Sequence, residues 1–171
     1  MYKGHEIIDL PVINLQTGKE VGSVEDITFD PETKSITGLI IDGGSWLQGK
    51  QMIPYDELHS IGEDAVTIED ESAVTKRDKN KECLNGAAGS VIGIRVVTND
   101  GKELGNIEDI ILDPINGQLD AYELTDGLVQ DILEGRGLLN ISNDLKYGED
   151  VVIVSNLDDY QQINNREEQL K

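Results

Sequence analysis

The chain repeats itself, and no other feature narrows its possible folds as much. Residues 18–31 read GKEVGSVEDITFDP and residues 101–114 read GKELGNIEDIILDP, an offset of 83 with nine of fourteen positions identical. Where the copies differ, apolar residues mostly exchange like for like: Val21 with Leu104, Val24 with Ile107, Phe29 with Leu112. Further on, Gly62-Glu63-Asp64-Ala65-Val66 answers Gly148-Glu149-Asp150-Val151-Val152 at an offset of 86, so a three-residue length change falls within residues 43–52 of the first copy. Repetition at this period means two copies of one folding unit of about 65–70 residues each.

Charge and composition draw the boundaries. Residues 1–75 hold 15 acids and 4 bases, and residues 91–154 hold 13 and 4. Between them, residues 76–90 are locally basic and end in small residues, the composition of a linker. Residues 155–171 form a polar tail, expected to be a frayed helix or disordered. The net charge of −20 repels phosphate, which excludes nucleic acid as a direct partner and disfavours anionic lipid. No apolar run approaches the roughly 20 residues of a membrane-spanning helix. The opening MYKGHEIIDLPVI lacks the basic and apolar regions of a signal peptide. A single cysteine, Cys83, excludes an intrachain disulfide and suits a reducing compartment, so a cytoplasmic location is expected.

Within each copy the apolar residues fall at strand spacing. In the first, Ile7–Leu15, Glu20–Asp30, Ser35–Asp42, Gln51–Pro54 and Ala65–Glu69 are rich in Val, Ile and Thr and are separated by turn residues. The long second strand breaks its alternation: Val21 is in phase with Ile27 and Phe29, but Val24 is not, and Leu104, Ile107, Ile110 and Leu112 repeat the break. That pattern predicts a β-bulge near Glu25-Asp26 and Glu108-Asp109, where a bent strand serves two faces. Bending lets a small sheet close on itself. The expected fold is all-β: two tandem, small, predominantly antiparallel barrels. In the second, Thr125–Gly135 carries apolar residues at Leu128, Val129, Ile132 and Leu133, the spacing of a short inserted helix.

The run GKEVGSVEDITFDPETKSITGLIID followed by MIPYDELHSIGEDAVTIED resembles the PRC-barrel domain. The resemblance covers most of residues 5–70 and, with the helical insertion, residues 91–154. The family includes the cytoplasmic part of the photosynthetic reaction-centre H subunit and the C-terminal half of the ribosome maturation factor RimM. It also includes small stand-alone bacterial proteins, which this chain resembles most. The resemblance implies the barrel fold, and it implies no catalytic set, because the family shares none.

The residues themselves offer little for catalysis. A nucleophile needs a base, and the chain has only His5 and His59. At an offset of 86, His59 stands against the aliphatic Leu145, which reads as a structural or surface position. Cys83 sits in the basic linker and reads as an incidental thiol. One Cys and two His cannot build a tetrahedral zinc site without carboxylates, and no cofactor is expected. Asp26 with Asp30, and Asp109 with Asp113, are the places where hard oxygen ligands recur in both copies. The competing role for Asp30 and Asp113, each just before a proline, is to satisfy backbone donors in a turn.

What remains is surface. Trp46 and Leu47 are large apolar groups on a glycine-rich loop, either interface anchors or a lid on the barrel end. Ile40 stands where the second copy has Glu123, which marks it as a possible partner contact. The expected function is a non-enzymatic adaptor that binds protein partners, a second copy of the chain among them, through barrel loops and strand faces. The alternative is a small-ligand or divalent-cation module at the bulge corners or an inter-domain groove. If Trp46 is an anchor, its fluorescence is blue-shifted and shielded from quencher. Trp46→Ala then releases a contact, measured as weakened partner or self-association; unchanged association rules the anchor out.

Overall fold

The computed structural model describes residues 1–43, 51–76, 86–87, 91–125, 135–141, 145–148, 150–155, 157 and 160–164. Its contacts divide the chain into two units: Met1–Ser90 with Leu112–Leu119, and Val91–Ile111 with Asp120–Lys171. Each unit is a mixed, strongly curled half-barrel sheet, and the described residues are mostly β with almost no helix.

In unit 1 the elements are β1 (Tyr2–Lys3), a one-turn helix α1 (Gly4–Ile7), β2 (Pro11–Asn14), β3 (Lys19–Asp30), β4 (Ser35–Asp42) and β5 (Gln51–Pro54). A 3-10 turn at Tyr55–Glu57 leads to β6 (Leu58–Ile61), then β7 (Val66–Ile68), β8 (Thr75–Lys76) and β9 (Gly86–Ala87). The strand path is β6-β7-β2-β3-β4-β5-β8, with β9 also paired to β3. Unit 2 follows the same plan with β10 (Arg95–Thr98), β11 (Glu103–Leu112), β12 (Leu119–Leu124), β13 (Gly135–Asn140), β14 (Leu145–Tyr147), β15 (Val151–Val154) and β16 (Tyr160–Asn164). Its path is β14-β15-β10-β11-β12-β13-β16.

The strand expectations mostly hold, with one refinement and three corrections. Antiparallel pairs dominate, but β2 runs parallel to β7 and β10 parallel to β15, so the sheets are mixed. Parallel neighbours need a crossover, and here the strands between β2 and β7 supply it. Ile7 belongs to α1 and not to the first strand. The turn is held by the Lys3 N–H donating to Glu6 Oε2 at 2.7 Å, and Asp9 then reverses the chain at φ 67°. Third, the linker is not all connector: Lys76 pairs with Gln51, and Gly86-Ala87 pairs with Phe29 and Thr28. Fourth, the tail is neither helix nor disorder at Tyr160–Asn164, which pairs antiparallel with β13. The Tyr160 ring lies over Gly137, where a Cβ would come within 2.7 Å of it. A glycine on the neighbouring strand thus makes room for the aromatic that docks this segment. The expected helix at residues 128–133 lies outside the described residues.

The predicted bulge in β3 is present. Its register against β4 shifts between Val24 and Asp26, leaving Glu25 as the extra residue, and shifts again between Thr28 and Phe29. The phase change turns Val24, Ile27 and Phe29 all inward, at 1%, 0% and 0% exposure. Matching register shifts occur at the first hairpins, where Val21 of β3 is extra opposite Val12/Ile13 and Leu104 of β11 is extra opposite Val96/Val97. Both first hairpins end in glycines of positive φ, Gly18 at 66° and Gly101 at 86°, as the turns require.

Close approach of backbones sets the curvature of unit 1. A Cβ on Gly38 would fall on the Ile53 carbonyl oxygen, and one on Gly22 would fall on that of Asp42. Neither obstacle is a flexible side-chain tip. Gly38→Ala should therefore destabilise the protein by about 2 kcal/mol or more, read from urea denaturation midpoints. Gly62→Ala, whose Cβ would meet only the Ala65 carbonyl at 3.1 Å, should cost clearly less.

Candidate functional site

The repeated aspartates are used by the backbone around them. Asp30 Oδ1 accepts the Glu32 N–H at 2.8 Å, and Asp113 Oδ1 accepts the Ile115 N–H at 2.8 Å. Each closes an Asx turn at the hairpin that follows the long strand. Asp26 Oδ1 accepts the N–H of Ile27, and Asp109 Oδ1 that of Ile110, both at 2.8 Å. In β3 this bond lies beside the register shift at Val24/Asp26, and in unit 2 Asp109 is itself buried. Among the described residues, no three His, Cys, Asp or Glu side chains come together as a metal-binding group.

Two further aspartates serve turns. Hydrogen bonds from Ser72 hold the Asp70 carboxyl below the usual range, and the Thr98 hydroxyl does the same for Asp100.

The apolar candidates divide. Ile40, offered by the sequence as a partner contact, is fully buried in β4 and pairs with Asp26 and Met52. It is a core residue with no exposed area to present to a partner, because β4 packs its inward face and part of its outer face. Trp46, Leu47 and Cys83 lie outside the described residues.

His59 has a different place from the one its alignment gave it. The β6–β7 register shifts between Leu58 and Ser60, with Leu58 opposite Ile68. In unit 2 Leu145 occupies that position, opposite Val154. Leu145 therefore matches Leu58, and His59 is the extra residue of a bulge. Its Nδ1 lies 3.0 Å from Glu69 Oε1, with both side chains largely exposed.

The bulge shapes one side of a hollow of about 370 Å³ within unit 1. Tyr55, Asp56, Leu58, His59, Ser60, Ile61, Pro114 and Ile115 line it. Tyr55 fixes its far wall: the phenol donates to the Pro114 carbonyl at 3.0 Å, and its ring lies against Gly117, which takes φ 70°. Burial, together with Asp113 and Asp56, pushes the Tyr55 phenol up from its ordinary value. The Ile36 N–H donates to the Gly117 carbonyl at 2.7 Å and the Leu119 N–H to that of Lys34 at 2.9 Å, so the wall is anchored on the start of β4. A second hollow of about 180 Å³ shares Asp56, Leu58 and His59 and adds Glu57, Glu69 and Asp70. Sequence reasoning missed this corner. The signal was Ile115, a large aliphatic in a turn whose first copy carries Glu32.

Unit 2 differs from unit 1 in its interior. Tyr122 and Tyr147 stand where unit 1 has Leu39 and Ile61. Their hydroxyls are 2.8 Å apart and their rings meet edge to face. Burial raises both phenols. The bond between them raises Tyr122 further and lowers Tyr147, which makes Tyr122 the donor once Tyr147 ionises.

Comparison with known families assigns the architecture. The model for the PRC-barrel domain matches residues 1–74 and 87–161. This chain belongs to the PRC-barrel family. It is a tandem member, with two PRC-barrel units in one polypeptide. No curated protein matches it.

The tyrosine pair of the second PRC barrel makes a pH prediction. A phenol raised in the folded state adds stability that is complete below the unfolded value and is lost as pH rises through and beyond it. Stability should thus fall steeply above about pH 10, where unfolded tyrosines ionise. Tyr122→Leu, which installs the residue of the first barrel, should flatten that fall, checked by urea midpoints measured from neutral to alkaline pH.

Proposed function

We propose that this PRC-barrel protein is a non-enzymatic adaptor that works in the cytoplasm by presenting its surfaces to protein partners. The observation that carries this reading is how the repeated acids are used. Asp26, Asp30, Asp109 and Asp113 each commit a carboxylate oxygen to a neighbouring backbone N–H, which is structural work. Features that differ between the copies lie elsewhere: the His59 bulge, Ile115 in place of Glu32, and the sequence around Trp46 and Leu47. In a duplicated scaffold, such differences are where separate contacts can be placed. The single cysteine favours a reducing compartment. A charge of −20 selects partners that are basic or have a basic rim, since opposite potentials steer encounter.

The experiment compares two responses of the full-length protein. Monovalent salt should raise the melting temperature gradually, because screening shortens to about 10 Å at 0.1 M and relieves self-repulsion. Micromolar calcium or magnesium at constant ionic strength should add nothing. A saturable shift of several degrees, abolished by Asp30→Asn or Asp113→Asn, would move the reading to an ion-binding module. Affinity capture from native cytosol should return a stoichiometric protein complex that dissociates in high salt.

A further inference from the structure

The adaptor reading names no surface, and unit 1 supplies one. We propose that the hollow beside the Tyr55–Ile61 corner docks a basic peptide segment of a partner protein, with one aliphatic side chain seated against Ile115 and cationic side chains along the acidic margin. The proposal rests on the adaptor reading and locates it.

The apolar part of the hollow is Leu58, Ile61, Pro114 and Ile115. Ile115 is 90% exposed, at a turn position that the sister copy fills with glutamate. An aliphatic side chain held in water at the lip of a concavity is stabilised when a partner covers it. The neighbouring Asx bond and the Tyr55 phenol fix the turn that carries it, so little ordering is needed on binding.

The margin is acidic. Asp56 belongs to both hollows, and Glu57, Glu69 and Asp70 line the second; no lysine or arginine lines either. His59, at the boundary, is already paired with Glu69. These carboxylates do not converge as an ion site, since the described residues contain no group of three metal-ligating side chains. Strung along a corner and a neighbouring strand end, they suit successive cationic side chains of an extended segment better than one compact cation. The same sign excludes a nucleic acid strand. Unit 2 has no counterpart of His59 in its β14 and cannot repeat the corner.

The test uses the full chain and a fluorescein-labelled synthetic peptide of alternating lysine, arginine and leucine, followed by anisotropy. Three variants are compared: Ile115→Ser, the pair Asp56→Asn with Glu69→Gln, and a charge-matched control, Glu20→Gln with Asp64→Asn, whose residues line neither hollow. Each change is at an exposed side chain, and circular dichroism melts confirm folding. The expected result is about fivefold or greater weakening for the first two and less than about twofold for the control. A peptide with serine for leucine should bind the parent as weakly as the leucine peptide binds Ile115→Ser. Equal weakening by both charge pairs, or none by Ile115→Ser, would reduce the binding to non-specific charge and overturn the proposal. Sedimentation that shows self-association abolished by Ile115→Ser would assign the hollow to a second copy of the chain, also against it. If a variant combining Ile115→Ser, Asp56→Asn and Glu69→Gln still captures a cytosolic partner, the surface is wrong while the adaptor reading stands; if the parent captures nothing, the adaptor reading itself fails.

Discussion

Each unit depends on one strand that has to change face without losing its hydrogen bonds. β3 pairs with β2 over its first half, with β4 over most of its length and with β9 near its end. A pleated strand alternates faces with a period of two, so a long regular strand would turn part of its apolar set to water. One inserted residue, Glu25, resets the phase and bends the strand, and the core gains Val24, Ile27 and Phe29 together. Glycines at 22 and 38 then let the neighbouring backbones approach closely enough for the sheet to curl.

Bending has an electrostatic consequence. Where a strand bulges or turns, N–H groups lose their ladder partners, and a nearby acceptor must take them. Short aspartates do so at Asp26, Asp30 and Asp113, and buried Asn14 and Thr98 brace the hairpins that open the two units. Two of the acidic positions shared by the copies are therefore used by the backbone of the fold. What the copies do not share is informative in a different way: a histidine bulge in the first, an exposed isoleucine and a buried tyrosine pair in the second.

The bulge in β3 was legible because apolar phase reports it directly: Val24 is out of step with Ile27 and Phe29, and all three are buried. Ile40 misled for a related reason. An apolar residue opposite a charged counterpart suggests a face that tolerates water, yet Glu123 in that position is itself buried. Aligning by constant offset hid the role of His59, because an insertion and its compensation a few residues apart leave the flanking offset unchanged. The β6 and β14 ladders, not the letters, show which residue is extra.

By itself the sequence determined the duplication, the strand-rich pattern, the phase break and the turns, since all are short-range consequences of residue spacing and backbone preference. Only tertiary structure decided the parallel pairs, the strand at Tyr160–Asn164 and the corner formed by Tyr55, Leu58 and Ile115. Those depend on residues distant along the chain meeting across a curled sheet. A ring over Gly137, a phenol reaching Pro114 and a strand added beside β13 are set by where the sheet brings them together, and local periodicity carries no record of that.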